Sequence, residues 1–199
     1  KELMSIQLEK RAFTSDEYHR MGEAGILSED DRVELIEGEI IQMSPIGKHH
    51  ASCVNRLNRI LNMELGALAI ISVQNPIRIG NFSEPQPDIV LLKPRTDFYA
   101  EQAPTAEDVL LLIEVADTSI EYDRTVKIPL YAAANISEVW IVNLQEGQVE
   151  VYSEPAGHAA PAGVAPSVHG AYQNVQHRLS WLKRDTQRYL SCYTQLSRY

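Results

Sequence analysis

Two carboxylates lie where a carboxylate is costly. Asp88 begins the run Asp88-Ile89-Val90-Leu91-Leu92, and Glu114 interrupts Val109-Leu110-Leu111-Leu112-Ile113-Glu114-Val115-Ala116. Both runs are short, continuous and apolar, which is the pattern of buried strands. A lone carboxylate in such a strand loses its hydration unless something cationic meets it. If the runs pair antiparallel about a turn near residue 101, Asp88 falls opposite Glu114. Two carboxylates side by side repel unless a divalent metal or a lysine neutralises them. Hard oxygen ligands of this kind suit Mg²⁺, which binds through one or two carboxylates and keeps several waters. The backbone carbonyl of Val115 adds a third oxygen. Lys127 lies one short turn and one helical turn past Glu114, within reach of the strand end. It is the candidate cation to stabilise a pentavalent phosphate or to help deprotonate an attacking water.

Plainer readings of the same residues stand beside this one. Asp123 and Lys127 are four apart on a helix and read equally well as a surface ion pair. Asp88 follows Pro87 and fits a cap at a strand start. Glu114 is harder to explain away, because leucines and an isoleucine precede it and valine follows. Glu34, Glu37 and Glu39 add carboxylates upstream; alternation along a strand puts Glu37 and Glu39 on one face and Glu34 on the other. His49 and His50, at a helix start, read more readily as exposed than as catalytic. Gln74 can serve a site or satisfy backbone groups.

The elements that must position these residues follow in order. Thr14 and Glu17 have capping-box spacing and open a helix that stops at Gly25. Val33–Met43 reads as a strand or hairpin bent at Gly38. Apolar residues at helical spacing predict a helix over Lys48–Leu65. Ala67–Ile79 is β-rich. The Asp88 strand, a loop from Lys93 to Asp108, and the Glu114 strand come next. A helix then carries Asp123, Lys127 and Tyr131, with Pro129 expected in a first turn or at a kink. Val139–Leu144 is a strand that turns back into Val149–Tyr152. This order predicts an α/β (α+β) chain with a central mixed β-sheet flanked by helices. Residues 1–153 form the expected domain, 154–170 an Ala/Pro/Gly-rich linker or exposed loop, and 171–199 a last strand with a C-terminal extension.

The 199 residues suit one domain with a sizeable core. A net charge of −9 argues against a loose grip on DNA phosphates, although a local basic groove or metal ions can offset it. Two cysteines are too few for a disulfide framework, which fits a reducing, cytoplasmic setting. No signal-peptide pattern and no membrane-length apolar run is present. No Gly-rich phosphate loop, Gly-x-Ser-x-Gly elbow or zinc spacing appears, which removes several enzyme classes.

In its motifs the chain resembles the Uma-two restriction-endonuclease-like family of the PD-(D/E)xK nuclease superfamily. The matching text is Phe13-Thr14 with Tyr18, Glu34-Leu35-Ile36-Glu37-Gly38-Glu39, Met43-Ser44-Pro45, His50 and Gln74-Asn75-Pro76-Ile77. It continues with Ser83-Glu84-Pro85-Gln86-Pro87-Asp88, Glu114-Val115-Ala116, Asp123, Lys127, Tyr131 and Glu138–Val142. The resemblance implies a restriction-endonuclease-like core and metal-dependent hydrolysis of DNA phosphodiester bonds. It implies that Asp88 and Glu114 bind Mg²⁺ or Mn²⁺ and that Glu34 supports the site. The superfamily's lysine normally lies two residues after the glutamate, where this chain has Ala116; the family's lysine from the following helix maps onto Lys127. A catalytically silent nuclease-like module that binds nucleic acid or protein is the rival reading. The edge of a mixed sheet would also permit a homodimer.

Overall fold

The computed structural model describes residues 10–28, 30–155 and 172–173, the last pair as backbone. In chain order the elements are α1 (Ser15–Glu23), β1 (Val33–Ile36), β2 (Glu39–Gln42), α2 (Lys48–Leu65), β3 (Ile70–Val73), β4 (Ile89–Leu92) and β5 (Val109–Ala116). They continue with α3 (Ile120–Tyr122), a π-helical turn (Asp123–Lys127), α4 (Ile128–Ala133), β6 (Glu138–Asn143), β7 (Gln148–Pro155) and β8 (Tyr172–Gln173). The expected linker and C-terminal extension fall, apart from these few residues, outside the described residues.

Six strands form one sheet in the order β3-β4-β5-β6-β7-β8. Only β5 and β6 pair in parallel; the other pairs are antiparallel. A parallel pair needs a long crossover, and residues 117–137 supply it, carrying α3, the π turn and α4. The sheet is mixed and flanked by helices, as the sequence pattern predicts.

Alternation along the central strands divides the core into two layers. Leu91, Leu111, Ile113, Val115, Trp140 and Val142 pack with Cys53, Val54, Leu57 and Leu61 of α2. Val90, Leu92, Leu112, Ala116, Val139 and Ile141 pack with Ile128 and Tyr131 of α4. Glu114 shares the phase of Leu112 and Ala116, so its side chain belongs to the α4 layer.

Two local expectations change in detail. The β-rich stretch yields only the four residues of β3; Gln74 turns away with φ +53°, a left-handed conformation that ends the strand. The 33–43 segment is a hairpin, and Glu37 sits in its turn rather than on a strand face. Both central residues have positive φ, Glu37 at 48° and Gly38 at 81°, as a type I′ turn requires. Gly38 is also crowded: a Cβ there would lie 2.5 Å from the Cβ of Ala12.

Gly38→Ala is therefore expected to destabilise the chain by about 1–3 kcal/mol, combining a left-handed alanine with a backbone clash. Denaturant unfolding of the two chains measures it.

Candidate functional site

The hairpin β1–β2 is tied to the segment that precedes β4. Glu84 N–H donates to Leu35 O at 2.7 Å, and Glu37 N–H donates to Ser83 Oγ at 2.8 Å. This brings Glu34, 3% exposed, toward the sheet. Its Oε2 accepts from Gln86 N–H at 3.1 Å, and its Oε1 accepts from Tyr122 Oη at 3.3 Å.

Asp88 and Glu114 meet through strand register. Ile89 pairs with Ile113, Val90 with Leu112 and Leu91 with Leu111. One step further along the same ladder sets Asp88 beside Glu114, as the antiparallel expectation required. Asp88 is gripped by three donors. Val115 N–H donates to Oδ2 at 2.9 Å, the His50 Nε2 lies 2.9 Å from Oδ2, and Gln74 Nε2 donates to Oδ1 at 3.2 Å. The backbone partner of the Asp88 carboxylate thus lies on the neighbouring strand, at Val115, rather than at the start of its own.

Lys127 and Asp123 are not a surface pair. They are 5% and 4% exposed. Lys127 Nζ lies 3.2 Å from Glu34 Oε2 and 3.2 Å from Glu114 Oε1. Tyr131 Oη donates to Glu114 Oε1 at 2.6 Å, and Ser119 Oγ donates to Asp123 Oδ2 at 2.8 Å. A π turn carries both residues. Ile128 N–H bonds to Asp123 O, five residues back, a wide turn that accommodates Pro129 just beyond it. Residues four apart on a helix share a face, and Asp123 and Lys127 are both buried on it.

Glu34, Asp88, Glu114, Val115 and Lys127 all line one cavity of about 450 Å³, together with His50, Tyr122 and Asp123. Glu37 and Glu39 are exposed and stay outside it. Among the described residues, no three His, Cys, Asp or Glu side chains converge as a ready-made ligand cage. The donor set is two neighbouring carboxylates with a backbone oxygen beside them. Val115 turns its N–H toward Asp88, and the carbonyl of a strand residue projects to the same edge. That set suits a hard divalent ion that retains waters rather than one enclosed by protein.

Burial and charge pull in opposite directions here. Burial pushes the Glu114 carboxyl up to about 8, against the attraction of Lys127. Burial also works against the Lys127 charge, but Glu114, Glu34 and Asp123 together hold that amine above its ordinary value. Lys127 is thus held toward its charged form by its two acidic partners, while burial draws Glu114 toward its protonated form. Burial raises Asp123, with Lys127 and Ser119 opposing. The hydrogen bond to Asp88 raises His50, with burial opposing.

His50 corrects the reading of an exposed histidine pair. His49 is exposed, whereas the His50 side chain is only 16% exposed and touches Asp88. The signal was in the helix itself. His50 stands in phase with Val54, Leu57 and Leu61, the buried stripe of α2.

A protein-family profile described as "Uma2: Putative restriction endonuclease" matches residues 15–187. The chain belongs to the Uma2 family. Among solved structures, it is similar to a chain described as a "putative nuclease belonging to DUF820" from Anabaena variabilis, with TM-score 0.53 and 19% identity. That similarity covers 85% of this chain and 99% of the other, and at this identity it speaks for a shared fold. A search of curated proteins found no match. Among the described residues of this Uma2 member, no helix is long and apolar enough to cross a membrane.

Two outcomes follow from the buried charges. In chelator, a carboxyl raised above its ordinary value of 4.5 to about 8 binds its proton more tightly when folded. Its stabilisation is complete below its unfolded pKa and is lost as pH rises through the folded one. The stability of the intact chain should therefore fall across roughly pH 5 to 9, and Glu114→Gln should flatten that fall in melts at each pH. Lys127→Met should cost about 3–5 kcal/mol near neutral pH in denaturant unfolding, because it leaves the buried Glu34 and Glu114 without their cation.

Proposed function

We propose that this Uma2-family chain is a metal-dependent endonuclease hydrolysing DNA phosphodiester bonds. The observation that carries the reading is the convergence of Lys127 on Glu34 and Glu114, 3.2 Å from each, in the cavity that also holds Asp88. A buried lysine held charged by two carboxylates is a costly arrangement for stability alone. Beside a carboxylate pair that lines a cavity it suits phosphoryl-transfer chemistry.

Asp88, Glu114 and the Val115 carbonyl would hold Mg²⁺ or Mn²⁺. Bound there, the ion would polarise a phosphoryl oxygen and acidify a coordinated water. The side chains have separable tasks. His50, Gln74 and the Val115 N–H orient Asp88. Tyr131 and Lys127 orient Glu114. Lys127 offers its charge to the phosphate oxygens as negative charge builds, and Glu34 keeps that ammonium in place when the substrate competes for it. The family's description supports a nuclease.

A catalytically silent nuclease-like module is the second reading, and the chain's charge of −9 favours it. Calorimetric Mn²⁺ titration of the intact chain, Asp88→Ala and Lys127→Ala separates the two, with the same samples incubated with plasmid and single-stranded DNA. The expected result is metal binding lost in Asp88→Ala and cleavage lowered at least about 100-fold in both variants. An intact chain that binds no metal, while its melt shows it folded, would overturn the catalytic reading.

A further inference from the structure

The outward face of α2 breaks the acidic character of the chain. Lys48, Arg56 and Arg59 are all exposed on it, and the helix carries a single acid, Glu64, in its last turn. The three cations recur at near-helical spacing, interleaved with the polar Ser52 and Asn55. At 1.5 Å per residue, Lys48 and Arg59 are about 17 Å apart along the axis, a length that spans several phosphates of one strand.

The stripe begins at the site. Ser44–Gly47 forms one lip of the cavity, and Lys48 is the next residue. His50, two residues and about half a turn further along the same helix, reaches Asp88 from the opposite face. Arg32 lines the cavity and donates to Ser44 O at 3.1 Å from Nη1, so it stands between the interior and the lip. Arg32 and Lys127 are the two Lys or Arg side chains lining that cavity. A line of positive groups therefore runs from beside the carboxylate pair, over the lip, and along α2.

We propose that Arg32 and the Lys48–Arg56–Arg59 face of α2 form a phosphate track for a DNA strand entering the Asp88–Glu114 cavity. The proposal deepens the nuclease reading and rests on it for the direction of the strand. Cations gathered on one helix face, with polar side chains between them, suit a polyanion, and the overall charge of −9 makes such a local patch the place where the polymer is favoured. Contacts of this kind fix position and carry no base preference. The track therefore predicts binding that is indifferent to sequence and steep in salt.

The test is fluorescence anisotropy of the full chain with labelled single-stranded and duplex oligonucleotides, in chelator so that nothing is cut, across a range of salt. Neutralising Lys48, Arg56 and Arg59 together to Gln should weaken binding and make the log–log salt slope shallower by about three, near one per cation. Lys93→Gln, at the other end of β4 from Asp88, should leave the slope unchanged. A slope equal to that of the intact chain in the triple variant would overturn the track, as would an intact chain that binds neither oligonucleotide at low salt. Binding that depends on α2 without any metal-dependent cleavage would support the track and overturn the nuclease reading instead.

Discussion

The organising constraint is the burial of Glu34 and Glu114 around one ammonium. Each carboxylate is 3% exposed, and Lys127 lies 3.2 Å from both. Removing such charges from water costs several kcal/mol per ion even after relaxation. The arrangement persists only if three separate pieces of chain arrive together: the β1–β2 hairpin with Glu34, β5 with Glu114, and the crossover helix with Lys127. Most of the architecture around the site can be understood as what delivers those pieces.

The crossover is the least ordinary of the three. Parallel pairing of β5 with β6 requires a long connection, and that connection is where the cation is housed. The π turn before Pro129 resolves a local conflict, since proline would press on a preceding carbonyl at normal pitch. Asp123 and Lys127, buried against the sheet, lie at the two ends of that turn. π turns of this kind are frequent at functional sites.

Charge is organised on two scales. Within the cavity, anions outnumber cations, and burial lifts the Glu114 carboxyl to about 8; such a site favours an added positive group. Across the chain the net charge is −9, yet the helix at the cavity lip shows cations on its outer face. α2 has one side in the core through Cys53, Val54, Leu57 and Leu61, one residue in the site, and one side in water. Those roles occupy different phases of a single helical repeat.

Much of this was legible in the residues taken alone. Apolar runs of strand length predicted β4, β5 and β6, and pairing two of those runs about residue 101 placed Asp88 opposite Glu114, because matching their apolar spans limits the register. Helical periodicity set α2 to its observed limits. Local chemistry also determined the Thr14–Glu17 cap and the turn at Gly38. Tertiary structure decided the rest. Asp123 and Lys127, four apart, are identical in sequence terms whether they face solvent or a sheet; only packing of the crossover buried them. His50 lies thirty-eight residues before Asp88, and a contact across that distance depends on how α2 docks. Alternation set Glu34 on a different face from Glu37 and Glu39, but only the stitching of the hairpin to the Ser83–Asp88 segment buried it beside Lys127. Periodicity is a short-range property and can be read from the chain, whereas which charged groups share a dry cavity depends on how distant elements pack.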